Sequence, residues 1–195
     1  MSAANKITLL RIVLIPLLLA FLIPESLLDR WIALAIFLLA SATDWLDGYV
    51  ARSRGQITTL GKLLDPVADK LLVTAVLLPL VRKGLVVDWM AALLIGREFL
   101  VSGLRSVASA ERVVIPAGRV GKWKMGMSIT ALSFLIVAPT DPAGNWPPWV
   151  PHGAYLTIGT ALLWVTLALS LGSAALYFWE YRHFIRAQKE TPAAP

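Results

Sequence analysis

The 195-residue sequence predicts an all-α fold, a polytopic membrane protein with six transmembrane helices, and three observations lead there. Apolar residues make up 57% of the chain and the mean hydropathy is +0.70. Only 15% of residues are charged, against about 25% in a soluble domain, so most of the surface is expected to face something other than water. Long apolar stretches recur from end to end between breaker-rich segments, as in a chain with several membrane helices. No ten-residue alternation runs through it, which argues against an outer-membrane barrel. One domain, 1–195, accounts for the length.

The first span is Ile7–Ile23. It contains Arg11 and no small-residue cleavage site follows it, so it is expected to be retained rather than removed as a signal peptide. The second is Trp31–Ala51, bounded by "IPESLLDR" and "RSRGQ", and the third is Pro66–Val81. Pro66 either opens that helix at its first position or kinks it, and both readings fit. The fourth, Trp89–Leu104, lies between "RKGLVVD" and "ASAERVVIPAGRVGK". The fifth, Met125–Pro139, ends at the proline-rich "APTDPAGNWPPWVPHG", and the sixth is Ala154–Trp179. The polar, proline-bearing tail from about residue 187 is expected to fray.

Six spans put both termini on one side. That side carries Lys6, Arg11, Arg52, Arg54, Lys62, Lys70, Arg112, Arg119, Lys122, Lys124, Arg182, Arg186 and Lys189. The other side carries Arg30, Arg82 and Lys83, and Arg97 and Arg105 belong to the fourth span. Positively charged loops stay in the cytoplasm, so both termini are expected there. Trp31, Trp89, Trp146 and Trp149 then mark the outer interface, and Trp123 and Trp179 the inner one. The formal charge of +6 is read as cytoplasmic loops meeting anionic lipid, not as a nucleic-acid surface. With no cysteine, disulfides, thiolate metal sites and cysteine nucleophiles are excluded. His152 and His183 fall on opposite sides and form no pair.

Two spans are short. A helix needs about 20 apolar residues to cross the hydrocarbon core. The second span has only Trp31 to Thr43 free of charge before Asp44, and the third only Leu71 to Val81 after Lys70. Their charged cytoplasmic ends must complete the crossing. Such ends avoid lipid, so they are expected to line a polar cavity at cytoplasmic depth.

Those ends hold a third of the acidic residues of the chain. Asp44 and Asp47 are three apart, Asp65 and Asp69 four apart, and either spacing places a pair on one helical face. Only a short loop separates the pairs, so the two helices are expected to be adjacent and antiparallel, with four carboxylates between them. Like charges that close repel unless a cation neutralises them. All-oxygen ligation suits Mg²⁺, Mn²⁺ or Ca²⁺ rather than zinc. Gly48, Ala51 and Gly61 allow close approach, of a ligand or of a neighbouring helix. Arg52 and Arg54 suit a phosphate or simple anchoring at the inner surface.

Asp44, Asp47, Gly48, Ala51, Arg52, Gly61, Asp65 and Asp69 reproduce, in identity and spacing, the signature of the CDP-alcohol phosphatidyltransferase family, which the chain resembles. The resemblance implies six membrane helices, a homodimer and a site for two metal ions, Mg²⁺ or Mn²⁺. It also implies transfer of a phosphatidyl group from a CDP-linked donor with release of CMP. Asp44, Asp47, Asp65 and Asp69 would be ligands, and Asp69 also the base for the acceptor hydroxyl. Gly48, Ala51, Arg52, Gly61 and Thr58 would meet the CDP-alcohol. Asn5 and Thr8, which share a face with Arg11, resemble the family's cytidine-contacting stretch, or they cap the first helix.

The acceptor is addressed by other charges. Arg97 and Arg105 are eight apart on nearly one face of an apolar helix, and each calls for an anion: Glu98, a motif aspartate or a substrate phosphate. With Arg119, Lys122 and Lys124 they give an excess of positive charge suited to an acceptor that carries its own phosphate. "REFLVSGLR" and "GKWKM" resemble segments of the bacterial phosphatidylglycerophosphate synthase branch, with Met125 where that branch has threonine. The reaction then expected joins CDP-diacylglycerol and sn-glycerol 3-phosphate at the bacterial inner membrane. Two alternatives stand beside it: a sister enzyme using phosphatidylglycerol, inositol phosphate or serine, and a divalent-cation transporter.

Overall fold

The structure, a computed structural model, describes residues 3–54, 59–110, 119–140 and 152–190. Within them, the side chains of residues 3–8, 44–54, 59–66, 69, 109–110, 119–122, 152 and 180–190 lie outside the described set. Six α-helices and no strand occur among the described residues: α1 Ala3–Leu22, α2 Leu27–Arg54, α3 Thr59–Arg82, α4 Asp88–Ala110, α5 Arg119–Val137 and α6 His152–Glu190. The all-α expectation is met, and each predicted span falls on its own helix, but the helices run further than the spans: α3 begins at Thr59 rather than Pro66, α5 at Arg119 rather than Met125, and α6 continues to Glu190 rather than Trp179.

Local chemistry explains the boundaries. The Asp88 carboxylate accepts the Trp89 N–H at 2.7 Å at the start of α4. The end of α3 is a Schellman motif: the Gly84 N–H donates to the Val81 carbonyl at 2.9 Å and the Leu85 N–H to the Leu80 carbonyl at 3.0 Å. Gly84 has φ +70°, which a side chain rarely tolerates. Leu80 and Leu85 are both buried, supplying the apolar contact that accompanies this cap.

Pro66 lies inside α3, seven residues past its first residue Thr59, so it does not open that helix. α6 stays helical to Glu190, beyond the point where fraying is expected. Its last residues, Arg186 to Glu190, are all good helix formers, which outweighs their polarity.

α5 packs most extensively on α6, while α1 packs against both α2 and α3. α2 also meets α5, α4 meets α3 and α6, and α2 touches α3 more sparingly. Leu18, Phe37, Leu77, Leu80, Leu132 and Leu163 are buried where these helices converge. At the α5–α6 contact, Gly159 faces Leu135 so closely that a Cβ there would stand 2.8 Å from Leu135 Cγ. Small residues at helix crossings let backbones approach, which is how helices associate where lipid removes the hydrophobic drive.

The exterior is apolar on every helix. Leu9 and Val13 of α1, Leu39 of α2, Leu78 of α3, Leu100 and Val107 of α4, Met125 of α5 and Leu176 of α6 are all exposed. Trp31, Trp89, Trp123 and Trp179 face outward as well, whereas Trp146 and Trp149 lie outside the described residues. Among the described residues α6 holds one stretch long and apolar enough to cross a membrane, Gly153–Trp179, and Leu9–Leu22 and Trp123–Val137 are shorter apolar helices. Hydroxyls on these helices turn inward on their own backbone: Thr130 to Gly126, Ser133 to Ile129 and Thr166 to Leu162.

Two cations organise the ends of α2 and α3 away from the carboxylate pairs. Arg30, fully buried, donates to the Ala138 carbonyl just past α5 and, at 2.8 Å, to Thr140 Oγ1. A cation there also meets the negative end of the α5 dipole. Lys83 donates to the Pro24 carbonyl at 2.9 Å, holding the α1–α2 turn to the end of α3. Burial, and then the neighbouring Arg30 charge, lower the Lys83 ammonium from 10.5 to about 8, with Glu25 opposing.

Two outcomes follow. Gly159→Leu is expected to destabilise the detergent-solubilised protein by about 1–3 kcal/mol through overpacking, read as a lowered thermal unfolding midpoint; an unchanged midpoint would refute the close contact. For Lys83, the folded state disfavours the charged form, so the penalty is full below about pH 8 and is relieved as pH rises toward 10.5. Between pH 8 and 10 the wild-type midpoint should therefore rise relative to that of Lys83→Met, and parallel curves would contradict it.

Candidate functional site

The carboxylate pairs sit on consecutive helices. Asp44 and Asp47 lie in α2, followed on the same helix by Gly48, Ala51 and Arg52, while Gly61, Asp65 and Asp69 lie in α3. Helical backbone at all these positions keeps each pair one turn apart on a shared face. α2 and α3 touch each other, and both pack on α1, which carries Asn5 and Thr8. The three helices bearing the candidate donor-site residues thus form one contiguous group. The side chains of those ten residues lie outside the described set, and Thr58 lies outside the described residues altogether.

The described neighbours show what kind of surroundings these are. Ala68 and Lys70, on either side of Asp69, are both buried, Lys70 at 8% exposure. Arg11, one turn beyond Thr8 on α1, is buried to 1%. Both cations are engaged within the chain. The charged end of the short third span is therefore held against protein, as its cost in lipid requires. Thr43, just before Asp44, donates its hydroxyl to the Leu39 carbonyl at 2.6 Å.

A second polar cluster joins α4, α5 and α6. Arg97, at 8% side-chain exposure, donates through Nε to the Ser170 carbonyl at 2.9 Å and through one terminal nitrogen to Ser173 Oγ. Its other terminal nitrogen meets Glu98 Oε1 at 2.9 Å. The same oxygen accepts from the Lys124 ammonium of α5. A guanidinium has five N–H groups, so these three contacts leave Arg97 two for a further anion. Arg105, two turns on along α4, donates to the Tyr177 hydroxyl, with its guanidinium carbon 4.7 Å from the centre of that ring.

Of the acceptor candidates, Arg97 and Lys124 are thus brought together by Glu98. Arg105 is directed to α6, and the side chains of Arg119 and Lys122 lie outside the described set. Ser170, Ser173 and Tyr177 were not among the residues singled out from the sequence. The available signal was a three-residue spacing of serines in the stretch Gly153–Trp179, which carries no charged residue.

Comparison with known proteins gives the following. The profile of a family described as CDP-alcohol phosphatidyltransferase matches residues 1–172. The chain is 39% identical over 176 residues to a CDP-diacylglycerol–glycerol-3-phosphate 3-phosphatidyltransferase of Rickettsia felis, covering 89% of this chain and 92% of that one. It is 43% identical over 145 residues to the protein of the same description from Bacillus subtilis, covering 68% and 75%. A cardiolipin synthase (CMP-forming) of Oryza sativa is 34% identical over 196 residues, covering 91% of this chain but only 56% of its own length.

Because Arg97 ties α4 to α6 and shares Glu98 with α5, its removal breaks a buried ionic contact. Arg97→Met is expected to lower stability by about 1.5–3 kcal/mol, the scale of a hydrogen bond to a charged group, because Glu98 keeps Lys124 as a partner. Arg97→Lys, which keeps the charge but not the planar fork, should fall between that variant and wild type in thermal unfolding; a Met variant as stable as wild type would rule out the tie.

Proposed function

The chain belongs to the CDP-alcohol phosphatidyltransferase family, and on that premise we propose that it transfers the phosphatidyl group of CDP-diacylglycerol to sn-glycerol 3-phosphate, giving phosphatidylglycerophosphate and CMP. The observation that carries the acceptor is the near end-to-end match to glycerol-3-phosphate phosphatidyltransferases, 89% of this chain against 92% of the Rickettsia felis protein. The surplus of cations on α4 and α5 supports it: Arg97, Arg105, Arg119, Lys122 and Lys124 suit an acceptor bearing phosphate.

The family acts with a divalent metal. In this chain Asp44, Asp47, Asp65 and Asp69 would hold Mg²⁺ or Mn²⁺, two ions per site. The fit rests on an all-oxygen donor set and on two carboxylate-bearing helices in contact with each other. Bound metal neutralises the carboxylates and polarises the pyrophosphate. Asn5, Thr8, Gly48, Ala51, Arg52, Thr58 and Gly61 bind and orient the CDP moiety, the small residues allowing the backbone to approach it. Asp69 takes the proton from the acceptor hydroxyl as its oxygen forms a bond to the phosphatidyl phosphorus and the bond to CMP breaks. Arg97, Arg105, Arg119, Lys122 and Lys124 hold the acceptor phosphate.

The enzyme is read as a six-span protein of the bacterial inner membrane, with both termini and the site toward the cytoplasm, and as a homodimer. Apolar side chains exposed on all six helices support the spans, since a soluble domain of this size does not present apolar surface all round. The distribution of lysine and arginine supports the orientation. The likeness to a cardiolipin synthase favours one second reading, with phosphatidylglycerol as acceptor.

CMP release from the purified protein with CDP-diacylglycerol is expected to require both Mg²⁺ or Mn²⁺ and glycerol 3-phosphate. Asp69→Asn should lower turnover by roughly a hundredfold or more while unfolding at the wild-type temperature. Release with phosphatidylglycerol but not glycerol 3-phosphate would move the reading to the second acceptor.

A further inference from the structure

Lys124 is the sixth residue of α5. A lysine so near the end of an apolar helix ordinarily snorkels, sending its ammonium out to water along its own stem. Here the side chain is 12% exposed and its ammonium donates to Glu98 on another helix. Glu98 is itself fixed: its Oε1 also accepts from Arg97 at 2.9 Å, and Arg97 is bound by the Ser170 carbonyl and Ser173 Oγ. The contacts run from the α6 backbone through α4 to a flexible side chain on α5. Glu98, at 28%, is the most exposed of its three charged members. Arg97 and Lys124 both meet Glu98 here, and two N–H groups of Arg97 remain beyond its three contacts, which favours an incoming anion at this place.

Glu98 acts on such an anion in two opposed ways. Its charge repels the anion directly, while its grip keeps the Lys124 ammonium within the bundle, where the anion gains most from it. The second effect is the larger if the lysine otherwise leaves for water, because a charge lost from a low-dielectric site removes more than a partly screened repulsion returns. We propose that Glu98 is a positioning residue for the acceptor: it holds the Lys124 ammonium inward, ready to meet the acceptor phosphate. The proposal rests on the reading that the acceptor carries a phosphate.

The test uses the full chain in mixed micelles. Glu98→Gln keeps an oxygen for Arg97 but loses the charge that holds Lys124. Its KM for glycerol 3-phosphate should rise roughly tenfold, the scale of one lost charge-assisted hydrogen bond, while its KM for CDP-diacylglycerol stays within about twofold. Combined with Lys124→Met, it should add nothing to the effect of that substitution alone. In parallel, Lys124 in Glu98→Gln should react faster than in wild type with a water-soluble amine-acylating reagent, mapped by peptide mass spectrometry. A KM for glycerol 3-phosphate that is unchanged or falls overturns the proposal, as does an equal rise for both substrates with a lowered unfolding midpoint, which would make Glu98 a purely structural tie. Should Glu98→Gln not fold, Glu98→Asp withdraws the charge by one methylene and should give the same pattern at smaller amplitude. If wild-type turnover proves independent of glycerol 3-phosphate, the acceptor reading fails. The labelling then decides separately, since faster reaction still supports Glu98 as the residue that holds Lys124 and unchanged reaction overturns it.

Discussion

A charge inside an apolar bundle has to be answered from a neighbouring helix, and this requirement sets how the six helices of this molecule are joined. Contact between apolar faces orders helices weakly when the surroundings are as apolar as the faces. Polar ties with no equivalent outside the bundle then determine which helices meet and at what height. Arg30 joins α2 to the end of α5, and Lys83 joins the end of α3 to the turn between α1 and α2. At the other end Arg97 joins α4 to α6, and Glu98 brings in α5. Between these tiers the packing is close, as Gly159 against Leu135 shows.

The same requirement bears on the motif carboxylates, which sit toward the charged ends of α2 and α3. α2 and α3 reach their charged ends before a full crossing is complete, so those ends depend on protein for shelter. α1 supplies it, packing on both. Buried Lys70 and Arg11 belong to this group, and a bundle that shelters cations there is suited to hold anionic groups beside them. The remaining helices, α4 to α6, are organised around Arg97 and Lys124, so the proposed reading divides the bundle between a half for the nucleotide-linked donor and a half for the acceptor.

Much of this was legible from residues read in order. The six apolar runs identified six helices, because hydropathy over about 20 residues is a local property. The eight-position motif identified the family, because its spacing is fixed by helix geometry within 26 residues. What was not legible depends on distance along the chain. Arg30 was counted only as an outer charge, and its caps at Ala138 and Thr140 have no local trace. The anion sought for Arg97 was narrowed to three kinds, Glu98 among them, but the carbonyl of Ser170 and the hydroxyl of Ser173, more than seventy residues away, could not be found by spacing. Pro66 stayed ambiguous because the local rule permits both positions; the turns of α3 that precede it decide the matter. The polar end of α6 was read from its hydrophilicity, which says nothing of helix propensity.

The cap that Arg30 places on α5 spans 108 residues of sequence. A ribosome adds about 5–20 residues per second, so on the proposed topology Arg30 reaches the far side of the membrane roughly 5 to 20 s before the carbonyl it will bind exists. During that interval the guanidinium has water as its partner, and α2 cannot yet settle at its final depth. The outer end of the bundle therefore closes late in synthesis, after the inner ends of α2 and α3 have already been brought together by their short connection. On that topology, a nascent chain halted before α5 would hold the inner ends of α2 and α3 together beneath an outer rim still open.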